Sequence, residues 1–429
     1  MNATPGTTPA SGRSLRVQAH NAQWVDLSSV TLLAGLDPTV DPAALRAALR
    51  RLHDVDPTAP ILCRVAPDPL RWVPVPPEEI DAWLEELVVD VRGTAKEDAE
   101  DVVERLLREA DPMVPFRLHV HDDHHAWQLS HVLGDGVYAN RHVIAELVRC
   151  AATGEVPVGL ARGPHRPRLL AKAVWRTFLR RPRAATWREA VSRLRSAPPS
   201  SAPQRAPAER QIALSVVSRT SAPGVRDEVR RWRDAHAADT SVAIATMAAV
   251  RAALGAEGAV PPGTDTVVLF DGRRYLPPGT HVVGNFSAAL RLRPGNATDP
   301  QLMARQMRRD AALGLPLVSL LVATAGQALT RFPRAAKGGS GSVVLTHLGA
   351  LTEVQELPWQ APEGEQQVIQ APAPSPVVSM TAAISEWHDR LLLTVSFDSR
   401  RVHRAAVTRA LERVLADPAA FLPGTGTAA

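Results

Sequence analysis

The residues best suited to chemistry lie in WQLSHVLGDGVYANRHV, positions 127–143. Period-two alternation places Trp127, Leu129 and His131 on one face of a strand and turns Ser130 to the other. An imidazole with an ordinary pKa near 6.5 accepts a proton at neutral pH, so His131 is a candidate general base. Asp135 and Gly136 follow it and open a helical pattern carried by Val143, Ile144 and Leu147. A helix N-terminus stabilises developing negative charge. Strand, histidine, turn, aspartate, glycine and helix together make the parts of a preorganised proton-transfer site.

Those residues need a scaffold. Phe116, Leu118 and Val120 alternate with Arg117, His119 and His121, a half-buried strand joined through HDDH to the strand that ends at His131. Before this hairpin, Asp41 and Pro42 supply an N-cap and first helical residue for a helix carrying Leu45, Leu49 and Leu52, and 77–89 and 97–110 are amphipathic helices. After residue 211 the pattern runs helix (221–237), helix (240–254), strand (267–270), strand (284–293), helix (299–312) and helix (317–331). Strands near Val343–Thr346, Val377–Glu386 and Leu391–Phe397 follow, the last two joined at His388 and Asp389, and a helix over Val402–Leu415 closes the chain. Hairpins in place of regular βαβ alternation predict two α+β lobes, not a doubly wound sheet. The expected division is an N-terminal lobe over 1–160, a basic and Pro-rich linker over 161–210 and a C-terminal lobe over 211–429, with SAPPSSAPQRAP at 196–207 as the clearest linker.

Composition narrows the function classes. The 429 residues are 45% hydrophobic, enough for real cores, and Gly plus Pro make up 63 positions without any collagen-like period. MNATPGTTPASGR has no apolar run, so no secretory signal is expected, and two cysteines, Cys63 and Cys150, suit a reducing cytoplasm. The apolar stretch Leu313–Leu329 is broken by Pro316 and Gly326, so no integral membrane segment is expected. Residues 161–210 hold thirteen Arg or Lys against Glu189 and Glu209, a local +11 in a chain of net +5. Such a segment attracts an acidic protein, an anionic membrane or nucleic acid, or is a solvated helix with Leu170, Val174 and Phe178 inward. Nucleic acid is not expected, because the stretch has no binding motif and few stacking aromatics. His119, His121, His124 and His125 lie close together, but a polar strand face ending in a turn explains all four, and no metal is expected. There is no Gly-rich phosphate loop, G-x-S-x-G elbow or H-E-x-x-H.

The chain resembles the acyltransferase superfamily of chloramphenicol acetyltransferase, nonribosomal peptide condensation domains, polyketide-associated acyltransferases and wax ester synthase/diacylglycerol acyltransferases. Their H-H-x-x-x-D-G signature is read here as Ser130-His131-Val132-Leu133-Gly134-Asp135-Gly136, with serine in the first position. PMVPFRLHV (112–120), DGRRYLPPGTHVVGNF (271–286), VVLTHLGAL (343–351) and LLLTVSFDSRRVHRAAVTRAL (391–411) extend the likeness over most of the chain. The resemblance implies two chloramphenicol acetyltransferase-like lobes arranged as a pseudo-dimer around a central tunnel. It implies that His131 deprotonates or positions an acceptor hydroxyl or amine, that Asp135 pairs with a second-lobe arginine, Arg273 as the best match and Arg274 in reserve, and that Gly136 lets a backbone N–H approach the oxyanion. Ser130, Asn285, Thr346 and His347 are the further candidates for substrate contact; a turn and strand bend is the favoured role of Gly284 and Asn285, and a structural role is equally open to Thr346 and His347.

The expected activity is that of a free-standing acyltransferase of specialised metabolism. It would move an acyl group from a phosphopantetheine thioester, on an acyl or peptidyl carrier protein or on coenzyme A, to a small-molecule hydroxyl or amine, with no tightly bound cofactor. A lipid ester synthase and a non-catalytic condensation-like docking platform are the alternatives.

Overall fold

A computed structural model describes residues 14–22, 24–67, 70–161, 169–179, 212–280, 282, 284–293, 295–329, 342–374 and 378–424. The linker at 196–207 and most of the basic segment lie outside these residues. Two sheets dominate. The first has five strands in the order Gln367–Pro372, Ser28–Ala34, His124–Ser130, Phe116–Val120 and Val88–Asp90, antiparallel except for the last pair. The second has six, in the order Ser287–Arg291, Thr266–Asp271, Ser342–Ala350, Val378–Trp387, Arg390–Asp398 and Leu214–Thr220. Ser342–Ala350 runs parallel to both its neighbours and the other pairs are antiparallel. A small third sheet joins Leu15–Arg16, Leu70–Val73 and Arg64–Pro67. The architecture is α+β in two lobes, as the hairpin-rich pattern predicts.

Each sheet is covered because its strands cannot bury their apolar faces alone. On the first, the helices Pro42–Val55 and Ala145–Thr153 bring Leu45, Leu49, Leu52 and Leu147 onto Phe116, Leu118, Trp127 and Leu129. Asp41 caps the first of these helices, its Oδ1 accepting from the Ala44 N–H at 2.7 Å. The opposite face takes Val102, Val103, Leu106 and Leu107 of the helix Ala99–Arg108 against Val30, Leu32 and Ala126. On the second sheet, the helices Val242–Ala256 and Arg404–Ala416 pack on Leu345, Ala382, Leu393 and Val395.

Strands from the second half of the sequence help stitch the lobes together. Gln367–Pro372, from the second half of the sequence, pairs with Ser28–Ala34 and so completes the first sheet. Leu214–Thr220 is the edge strand of the second sheet, and its outward N–H groups are satisfied by the helix Ala99–Arg108: Glu104 Oε1 accepts from Val216 N–H at 2.7 Å and Glu100 Oε1 from Ser218 N–H at 2.8 Å. Arg404 pairs with both carboxylates. An edge that would otherwise recruit another strand is thus closed by side chains.

The strands Ser28–Ala34, Leu214–Thr220 and Gln367–Pro372 have no counterpart in the sequence reading. Ser28–Ala34 is buried along most of its length and Gln367–Pro372 buries Val368, Ile369, Gln370 and Ala371 in succession, so neither shows the alternation that marks a one-sided strand. The apolar run near 313–329 forms the helix Leu315–Leu329, and among the described residues no helix is long and apolar enough to cross a membrane.

Candidate active site

His131 lies one residue beyond the strand His124–Ser130, in the turn and not on the strand itself. Its backbone N–H still donates to Leu27 O at 2.8 Å, and a Leu133 N–H to Ser130 O bond of 2.9 Å closes the turn. The imidazole Nδ1 is 3.1 Å from Gly134 O. A carbonyl only accepts, so Nδ1 carries the hydrogen and the neutral ring holds its lone pair on Nε2. Nε2 has no hydrogen-bond partner among the described residues and is absent from their buried unpaired atoms. His131 is half-buried. Burial lowers the His131 pKa below the ordinary histidine value, against smaller raising effects of Gly134 O and Asp135. The ring is therefore neutral at physiological pH.

Asp135 holds the loop. It caps the helix beginning at Gly136, Oδ1 accepting from Tyr138 N–H at 3.2 Å. Arg273 grips both oxygens, Nη1 to Oδ2 at 2.7 Å and Nη2 to Oδ1 at 2.9 Å, and Oδ2 also accepts from Phe286 N–H at 3.1 Å and Ser287 Oγ–H at 3.2 Å. Burial pushes the carboxyl pKa up, but Arg273 and these donors outweigh it and hold it below the usual range. With five donors on two oxygens, Asp135 has no capacity left for a substrate proton. Its role is to tie the histidine loop to the second lobe.

The backbone is shaped to match. A Cβ on Gly134 would run into the Tyr138 ring, and one on Gly136 would come within 2.8 Å of Leu348 Cδ2. Gly284 has φ +102° and lies against the Asn21 side chain, where any L-residue would be strained and would clash. The helix continues from Gly136 through a π-turn at Ala139–Ile144 into Ala145–Thr153. Asn140 in this π-turn accepts from Gln370 Nε2 at 2.8 Å, and Gln370 Oε1 accepts from Ser385 Oγ–H at 2.7 Å, a buried relay from the motif helix through the exchanged strand to the second sheet.

The remaining candidates are dispersed. Ser130 is 2% exposed, and its Oγ faces the loop backbone, accepting from Val132 N–H at 3.4 Å. Asn285 is buried, its Oδ1 accepting from Ser287 N–H at 2.9 Å while its own N–H donates to Asn21 Oδ1 at 3.0 Å. Thr346 is buried on the strand Ser342–Ala350. His347 accepts at Nδ1 from Gly349 N–H at 3.1 Å, and its Nε2 lies 3.9 Å from Glu386, which pairs with Arg226. Burial, aided by Arg226, takes its pKa down to about 4.

The site also contains residues that motif reading missed. Trp24 presents its ring edge-on to His131, centroids 6.4 Å apart, and Asn21 bridges to the Gly284-Asn285 turn. Neither lies in a periodic or motif-like stretch. Among the described residues no group of three or more His, Cys, Asp or Glu side chains is arranged to hold a metal. His121 and His124 stack on each other at 4.1 Å.

No protein family model matches the sequence, and no curated protein does. Solved structures do. The first condensation domain of the CDA synthetase superposes with a TM-score of 0.56 at 17% identity, covering 96% of both chains. The chain has the condensation-domain fold. The same fold relates it to the TRI3 trichothecene 15-O-acetyltransferase of Fusarium sporotrichioides, with a TM-score of 0.64, 12% identity and coverage of 97% and 100%. The polyketide synthase associated protein 5 of Mycobacterium tuberculosis gives 0.56 at 15% identity over 95% and 100%. At these identities the likeness is one of fold, and the chemistry must be argued from the side chains.

Proposed function

We propose that this condensation-fold chain is an acyltransferase that moves an acyl group from a phosphopantetheine thioester to an acceptor hydroxyl or amine, with His131 as its base. The observation that carries the reading is the state of one ring: Nδ1 is committed to Gly134 O, and the Nε2 lone pair has no hydrogen-bond partner among the described residues. As the acceptor attacks the thioester carbonyl, Nε2 takes its proton and the new C–O or C–N bond forms. When the tetrahedral intermediate collapses, the C–S bond breaks and the imidazolium returns the proton to the leaving thiolate. Gly136, at the first turn of the motif helix, is the candidate for a backbone N–H near the oxyanion. Asp135 and Arg273 act as positioning residues, keeping the loop in register across the lobes.

Replacement of His131 by alanine tests this. Intact-protein mass spectrometry of loaded carrier proteins, and chromatography of coenzyme A thioesters, would follow loss of the acyl group to an acceptor. The variant is expected to lose about 10²–10⁴ in rate while keeping the thermal midpoint of the unmutated protein. Undiminished turnover by a folded H131A protein would sink the assignment. Carrier binding without turnover by the unmutated protein, across a broad donor and acceptor panel, would favour a docking platform instead.

A further inference from the structure

The helical segment formed by Leu169–Val174 and Trp175–Leu179 is built with two unlike faces. Its inner face, Leu169, Ala173 and Phe178, is buried in a cluster with Leu276, Val282 and Phe286. Phe286 is the residue whose N–H donates to Asp135, so the helix is one packing layer from the carboxylate that holds the histidine loop. Its outer face carries Lys172, Trp175 and Arg176. Trp175 is 62% exposed, and neither cation has an acidic partner among the described residues. Among the described residues, a mostly exposed indole thus stands between two cations without an acidic partner. It has the composition of an interface anchor, where Trp and Arg carry most of the binding energy.

We propose that Lys172, Trp175 and Arg176 form a docking surface for an acidic carrier protein that delivers the thioester. This deepens the acyl-transfer reading and rests on it. A single helix face is convex and encloses nothing, which suits a protein surface better than coenzyme A, whose recognition needs a concave pocket. A bilayer is disfavoured because the helix has already spent its apolar face on the core. Nucleic acid is disfavoured because one exposed aromatic offers no stacking platform for successive bases. The positive charge of the face complements an acidic partner and predicts binding that weakens with salt.

The test uses the full chain, an octanoyl-loaded acidic acyl carrier protein, and octanoyl-N-acetylcysteamine as the same thioester without the protein. Fluorescence anisotropy of the labelled carrier is expected to show binding that falls with salt. W175A and K172E/R176E are each expected to raise Kd about tenfold or more, with unchanged thermal midpoints and unchanged rates from the small thioester. Equal carrier affinity in these variants, or no carrier binding by the unmutated chain, overturns the proposal. So does binding to phosphatidylglycerol vesicles or duplex DNA, in place of the carrier, that is lost in W175A. Trp175-dependent carrier binding with no transfer from either thioester would leave the docking surface standing and remove the acyl-transfer reading. Transfer from both donors with kinetics unaltered in the variants would do the reverse.

Discussion

At the scale of single residues, the site is a division of labour between His131 and Asp135. The imidazole is held in one tautomer by a single carbonyl, while the carboxylate is saturated by Arg273 and by donors from Tyr138, Phe286 and Ser287. Cutting one partner out of such a buried pair leaves a charge uncompensated and costs about 3–5 kcal/mol. D135A and R273A are therefore expected to destabilise the protein strongly when made singly. The double variant is expected to cost less than their sum, because the second change removes a charge already orphaned by the first. Chemical denaturation of the four proteins measures this, and strict additivity would show that the two side chains do not depend on each other. The spacing H-x-x-x-D-G was visible in the sequence, and so was DGRRY some 140 positions later. Trp24 and Asn21 were not, because their contribution comes from where the chain passes and not from any local pattern.

At the scale of elements, the helix Ala99–Arg108 does more than cover a sheet. Its Glu100 and Glu104, one turn apart, cap alternate N–H groups of the edge strand Leu214–Thr220, and Arg404 neutralises them. E104A strips an acceptor from Val216 N–H and Ser215 Oγ–H, and about 1–3 kcal/mol of stability should go with it. E104Q keeps an amide oxygen and should lose less. Urea unfolding of both variants checks the order; equal losses would mean that the carboxylate's charge toward Arg404 matters more than the edge hydrogen bond. The amphipathic pattern of 97–110 was enough to predict a helix there. That its polar face would be spent on another lobe's strand was not legible, since a charged helix face is ordinarily solvated.

At the scale of the whole molecule, a strand exchange, a carboxylate-capped edge, a buried relay and the Asp135–Arg273 pair join the lobes into one body around the histidine loop. Acid should loosen that body through the first lobe's histidines. Burial, with help from Arg117 and Arg105 at His119, Arg105 at His121 and Arg92 at His125, holds the three imidazoles at about 4, below their ordinary 6.5. The unfolded chain then binds more protons than the folded one as pH falls from about 6.5 to about 4, so their stabilising effect is complete above that window and lost through it. Urea midpoints should drop between pH 7.5 and pH 5 and drop less in H119Q, whereas a midpoint flat across that range would refute the assignment. Local chemistry was enough to read the helices, the hairpin into the motif and the two-lobe α+β class, because capping, periodicity and turn residues act over a few positions. Which strands cross between the lobes, and which carboxylates cap the edge strand Leu214–Thr220, depend on groups brought together from more than a hundred positions apart. Strands buried on both faces carry no periodic mark of their partners, so only the folded chain decided these.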